Sequence, residues 1–144
     1  MGNSSNYLQN QLIDHLFRGA TFAKPGNLFF GLYTVAPTAA GGGTEVVGGS
    51  YARVQITPSN TNFQATQGGT SGASSGTTGN TTNAVAIIFP APSANWGTVV
   101  AYSILDAASG GNFLIFGALN TPKTINSGDA APSFSIGNLS VTIN

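Results

Sequence analysis

Two apolar runs, 98–106 and 113–119, flank a short Ala-Ser-Gly-Gly-Asn segment within WGTVVAYSILDAASGGNFLIFGAL, residues 96–119. The pattern predicts a β-hairpin, with Gly110 and Gly111 free to take the positive φ values of a tight turn. Neither run alternates between apolar and polar. Val100, Tyr102 and Ile104 share one face of the first, and Val99, Ala101 and Leu105 the other; in the second, Phe113, Ile115 and Leu119 oppose Leu114, Phe116 and Ala118. A strand that is apolar on both faces requires cover on both. The second sheet of a sandwich is one cover. The other is expected from the N-terminal helix or from a neighbouring subunit.

Residues 3–18 read as one short helix. Leu8, Leu12 and Leu16 recur every four residues, and Ile13 and Phe17 widen the stripe. Asn6 with Gln9, or Ser4 or Ser5, supplies the N-cap, and Gly19 sits where a left-handed C-terminal cap belongs. About three turns are marginal alone, so the helix must dock, foremost on the sheet of its own chain. A first strand is predicted over 27–34, with Leu28, Phe30 and Leu32 on one face, ended by Ala36-Pro37. Residues 50–57 alternate, placing Ala52, Val54 and Ile56 inward and Tyr51, Arg53 and Gln55 outward. A buried strand over 84–89, a short edge strand at 123–125 and strands beginning at Phe134 and Leu139 complete the set. Residues 59–83 are low in complexity, with Phe63 the one large apolar side chain. That composition buries too little to offset its ordering entropy, so it predicts a long loop or extended arm. The spacing of strands and Gly, Pro and Asn turns predicts one all-β domain over 1–144: a single β-sandwich, jelly-roll-like, with one short N-terminal helix.

Catalytic chemistry is sparse. His15 adjoins Asp14, but neighbouring helical residues do not face each other, so they form no dyad. No Gly-x-Ser-x-Gly elbow is present. Gly41-Gly42-Gly43 lacks the Gly-Lys-Ser/Thr of a phosphate loop and reads as a turn. Glu45, Asp106 and Asp129 lack calcium-loop spacing, and Asp106 reads as a turn acceptor. No cofactor or metal is expected, and no enzyme activity. The charged fraction is 6%, far below the roughly 25% usual for soluble domains, with four basic and four acidic residues. No basic patch exists to neutralise phosphates, which argues against nucleic acid as a partner. No apolar run approaches the roughly 18 residues of a membrane span. So little charge protects a surface poorly against self-association and suits a crowded assembly.

The blocks YLQNQLIDHLFRG, LFFGLYTVAP, GGGTEVVGGSYARV, IIFPAP with WGTV, DAASGGNFLIFGAL and PKTINSGDAAPSF run nearly end to end. In content and order they resemble a family of small tailed-bacteriophage virion proteins commonly labelled tail fibre proteins. A fibre needs length or repeats, and this chain has neither. Its size and inferred sandwich are similar to capsid decoration (cement) proteins, which sit as dimers or trimers on the capsid exterior and bridge major capsid subunits.

The resemblance therefore implies a non-enzymatic virion component. The expectation is a homo-oligomer on the outer capsid surface with the major capsid protein as partner. The alternative is a tail module that holds receptor glycans. The candidate interface comprises Tyr7, Leu8, Leu12 and Leu16 on the helix, Phe63 with the 64–83 arm, Tyr102, and Lys24 and Arg53 for pairing with capsid carboxylates.

Overall fold

The computed structural model describes residues 2–143. Three strands form its spine: β2 (Leu28–Val35), β7 (Gly97–Leu105) and β8 (Phe113–Ile125). They pair antiparallel in the order β2-β7-β8. The full eight-stranded sheet runs β3-β2-β7-β8-β1-β10-β5, with β3 (Thr44–Glu45), β1 (Gly2–Ser4), β10 (Ser140–Thr142) and β5 (Asn80–Thr82); β4 (Val54–Ile56) also pairs with β2. A two-stranded sheet of β6 (Ile87–Ile88) and β9 (Ser133–Phe134) makes a small second layer. The protein is thus an all-β sandwich of very unequal layers with a single helix, α1 (Asn6–Phe17).

Residues paired across a sheet share a face. The register Phe30–Ile104, Leu32–Tyr102, Ile104–Ile115 puts these side chains on the face toward the small layer, where they meet Ile87, Phe89, Trp96 and Leu139 in the core. The opposite face carries Gly31, Tyr33, Ala101, Ser103 and Leu105, and it is also buried. β7 therefore needs cover on both sides, as its composition demands. The hairpin turn is closed by Asp106, whose carboxylate accepts the Asn112 backbone N–H (2.7 Å) and side-chain amide (2.9 Å). Gly111 has φ +80°, and a Cβ there would stand 2.6 Å from Asp106 Oδ1.

Several boundaries differ from expectation. The segment 123–125 is no separate edge strand but the far end of β8, paired with 97–99 of β7. Between the pairs Val99–Lys123 and Ala101–Ala118, one residue of β7 faces four of β8, 119–122. This bulge houses Pro122, which cannot donate to a ladder. The helix begins at Asn6, because residues 2–4 form β1, antiparallel to β8 and parallel to β10. Gly2 and Asn3 have weak strand propensity; tertiary pairing overrides it. Ser5 is the N-cap: its Oγ accepts the Leu8 N–H (3.1 Å) and donates to Phe113 O (2.5 Å). In 50–57 only 54–56 is strand. Ser50 at φ +65° turns the chain, so Tyr51 packs inward on Phe89 and Trp96 while Ala52 is exposed.

The low-complexity segment is not an extended arm. Phe63 stacks on Phe30 (6.4 Å between centroids), residues 80–82 become β5, and the loop between closes on itself. At its end lies Asn83, buried and fully engaged. Its Nδ2 donates to Val85 O (2.8 Å) and Ser135 O (3.0 Å), and its Oδ1 accepts the Leu139 N–H (3.0 Å). One amide thus ties the approaches to β6, β9 and β10.

Replacing Asn83 by Ala strands those buried groups together. Asn83→Ala is expected to lower unfolding free energy by roughly 3 kcal/mol. Asn83→Asp keeps the shape but loses the donor and is expected to be destabilised as well; urea titration followed by circular dichroism measures both.

Candidate functional site

Each acidic side chain already has a partner inside the chain. Asp14 pairs with Arg18 one helical turn on (3.0 Å), and Asp129 closes the turn at Asn126 by accepting its N–H (2.8 Å). The most developed polar cluster lies at the outer edge of β2. Both β4 and β3 pair along that edge, β4 with residues 28–30 and β3 with 33–35. The ladder is interrupted between them. The Tyr51 hydroxyl fills the gap by accepting the Leu32 N–H (2.9 Å) and donating to Glu45 Oε2 (2.7 Å).

Arg53 then grips Glu45 through two parallel bonds, Nε to Oε2 (2.8 Å) and Nη2 to Oε1 (2.7 Å). Its Nη1 donates to Ala107 O and Gly110 O, both at 2.8 Å, and so holds the β7–β8 turn. Side-chain exposure is 8% for Arg53 and 22% for Glu45. Gly31 lies beneath: a Cβ there would meet Glu45 Oε2 at 3.0 Å. The Ser103 hydroxyl donates to Tyr33 Oη (3.0 Å), so Tyr33 spans the small residues Gly31 and Ser103.

Burial pushes the Tyr33 and Tyr51 phenols up, and it pushes Tyr102 up to about 12. The hydrogen bonds to the Glu45 carboxylate raise Arg53 further. The cluster is an internal staple, satisfied on every side. His15 is likewise engaged, its Nδ1 accepting the Phe22 N–H (3.0 Å).

The expected interface residues scatter. Leu8 and Tyr102 are buried in the core, and the Tyr102 hydroxyl donates to Ser140 O (3.1 Å). Arg53 is forked onto Glu45 within the chain. Tyr7, Leu12 and Phe63 are half-buried against the core, and Lys24 is exposed. Leu16 points away from the core. With Ile13 and Phe17 it forms one apolar stripe at spacings i, i+3 and i+4, exposed by 51%, 67% and 80% for Ile13, Leu16 and Phe17. Sequence periodicity identifies this stripe as apolar but cannot show that only its N-terminal part docks. The helix is anchored at that end by Ser5 N–H to Leu114 O and Asn6 N–H to Ala39 O.

Three other features bear on binding. Trp96 is buried, its Nε1–H donating to Gly49 O (2.9 Å), and offers no stacking surface. Among the described residues no group of three His, Cys, Asp or Glu gathers as a metal site, and no helix is long and apolar enough to cross a membrane. A cleft of about 330 Å³ opens between Lys24, Phe63 and the 70–74 loop. A family model described as podophage GP4 fiber I protein gp80 matches residues 3–142. Among curated proteins none matches the sequence.

Two measurements test the staple. Arg53→Met leaves a partly buried carboxylate unpaired and is expected to cost about 3 kcal/mol, with Arg53→Lys losing roughly 1–2 because an ammonium cannot fork; urea melts report both. The raised phenols fix the alkaline limit. In the unfolded chain they ionise near the ordinary tyrosine value of about 10, whereas folded Tyr102 holds its proton to about 12. Stability from these groups is complete below pH 10 and is lost as pH rises from there through the folded values. Tyrosinate absorbance from Tyr33, Tyr51 and Tyr102 is therefore expected to grow in step with loss of the β-sheet dichroism.

Proposed function

Because the chain belongs to the gp80 family of podophage GP4 fiber I proteins, and is thus a structural protein of a bacteriophage virion, we propose that it is a subunit of the fibre apparatus that works by adhesion between protein surfaces. The family match over residues 3–142 carries this reading. The fold supports it in two ways. The acidic side chains are engaged within the fold, and the polar cluster around Glu45 and Arg53 holds the sheet edge together. The helix, by contrast, presents Ile13, Leu16 and Phe17 unpaired on a rigid base.

A chain of 144 residues without internal repeats cannot itself extend far. A fibre containing it needs several copies or other segments. Self-association through the helix stripe supplies the first route. Burying three large apolar side chains at each contact is worth several kcal/mol, about 1.5–3 for each fully buried residue. Closed symmetry repeats that contact.

The compact, repeat-free domain with 6% charge also favours a second reading, a capsid decoration protein that seals seams between major capsid subunits. It would stabilise the shell as any ligand specific to the assembled state does. Copy number separates the two. Densitometry of purified virions is expected to give a few dozen copies or fewer, on the order of closed low-symmetry rings; hundreds per particle would make decoration the function instead.

The contact itself is tested on the purified chain. Sedimentation velocity is expected to show an oligomer for the natural sequence and a folded monomer for Leu16→Ser with Phe17→Ser. A natural chain that stays monomeric at high concentration would remove self-association from the proposal.

A further inference from the structure

We propose that the cleft between Lys24, Phe63 and the 70–74 loop is a binding site for a carboxylate-bearing saccharide, such as a uronic acid unit of a polysaccharide. The inference stands apart from the placement of the chain in fibre or capsid, since it concerns what the isolated domain binds. Four observations carry it.

The first is charge. Arg18 and Arg53 are held by Asp14 and Glu45, whereas Lys24 has no carboxylate partner among the described residues. It lines a cleft that contains no acidic side chain. An ammonium there pairs with an incoming carboxylate without displacing an internal partner.

The second is an aromatic platform. Phe63 lines the cleft, and its ring stacks on Phe30, which is fully buried (6.4 Å, 17° between planes). A ring backed by the core and open to the cleft presents a flat apolar surface of the kind that receives the C–H face of a pyranose. Four other aromatic side chains do not compete for this role: Trp96, Tyr33 and Tyr102 are buried, and the Tyr51 ring lies against Phe89 and Trp96.

Unspent hydrogen-bonding groups are the third. Asn60, Gln64 and Thr70 line the cleft, and their side chains make no hydrogen bond within the described residues. Two amides and a hydroxyl match the donor and acceptor pattern of sugar hydroxyls.

The fourth is a wall built from side chains that are spent. Thr66 and Gln67 lie behind the loop and bolt it in place. Gln67 Nε2 donates to Ala73 O (3.0 Å) while its Oε1 accepts the Ser75 N–H (2.8 Å). Thr66 Oγ1 accepts the Gly76 N–H (2.8 Å), and Thr78 Oγ1 donates to Thr66 O (3.1 Å). Gly76 is essential to this closure, because a Cβ would fall 2.5 Å from the Thr66 carbonyl carbon. The segment buries no core, yet it is folded against the cleft, and that fixes polar groups before a ligand arrives. The volume, about 330 Å³, is at the small end of ligand sites and suits roughly one or two sugar rings.

The test is a titration of the isotopically labelled full chain with digalacturonate, its dimethyl ester and inorganic phosphate, followed by amide chemical shifts. Digalacturonate is expected to shift residues 24, 59–65 and 70–74 with a dissociation constant on the order of millimolar. The ester, and digalacturonate with Lys24→Gln, are each expected to bind about tenfold more weakly. Gly76→Ala, which disturbs the wall without removing a ligand contact, is expected to weaken binding with the thermal transition nearly unchanged. Lys123→Gln, at the other lysine without a carboxylate partner among the described residues, is expected to leave binding as it was. Equal shifts from phosphate and digalacturonate would reduce the site to a lone ammonium and overturn the proposal. So would an absence of shifts at the cleft, or loss of binding with Lys123→Gln.

Discussion

A ribbon that is apolar on both faces has to be covered on both, and this chain has strand enough beyond its main sheet to cover one. The β6–β9 layer and its loops seal the face that bears Phe30, Leu32 and Ile104. On the other face the solution is different. Gly31, Ala101 and Ser103 are small, and Tyr33 spans them, bonded to Ser103. The Glu45–Arg53 pair closes over the sheet edge beside it and reaches the turn at Ala107 and Gly110. Polar side chains thus complete a cover that a second full sheet supplies in larger sandwiches. Such a cover tolerates little change. A charge-assisted fork with every donor engaged is stabilising as a unit, but loss of one member leaves the other desolvated and unpaired.

The same economy explains why few charges remain for the surface. With four acids and four bases, two ion pairs and two carboxylate-closed turns leave Lys24 and Lys123 without an internal partner among the described residues. Hydration of the surface then rests on Ser, Thr, Asn and Gln, which bind water well but do not repel a second copy. An exposed Ile13–Leu16–Phe17 stripe on such a surface meets little electrostatic resistance to pairing. Helix α1 is anchored through its first turn by Ser5 and Leu8, and its last turn projects free of the sheet.

What the sequence discloses follows the physics of each segment. β2 and the β7–β8 hairpin are legible because dense apolar runs between turn residues admit one reading. The Asp106 turn is legible because its acceptor and its glycines are local. β1 is not, since Gly-Asn-Ser acquires strand form only from partners more than 110 residues away in β8 and β10. The Arg53 pairing is half legible: alternation in 50–57 puts Arg53 and Tyr51 on one face, but the turn at Ser50 that carries Tyr51 inward depends on one residue's φ of +65°. Lys24 and Phe63 can be marked as candidates from composition alone. Their meeting in one cleft depends on long-range packing, which no local pattern encodes.

The low-complexity segment, read from composition as a long loop or an extended arm, is the long loop, and composition says least about how it is held. A segment of Gly, Ser, Thr, Gln and Asn cannot order itself by burying apolar area, and entropy favours an open chain. Here the ends are fixed first, by Phe63 on Phe30 and by β5 pairing with β10. Once they are, the remaining closure entropy grows only slowly with loop length. A few side-chain hydrogen bonds from Thr66 and Gln67, each worth about 1 kcal/mol, then suffice to select one arrangement. Other polar side chains of the segment, Asn60, Gln64 and Thr70, line the cleft and make no hydrogen bond within the described residues. A surface that is both ordered and unsatisfied is suited to a hydroxyl-rich ligand, which can replace water group for group.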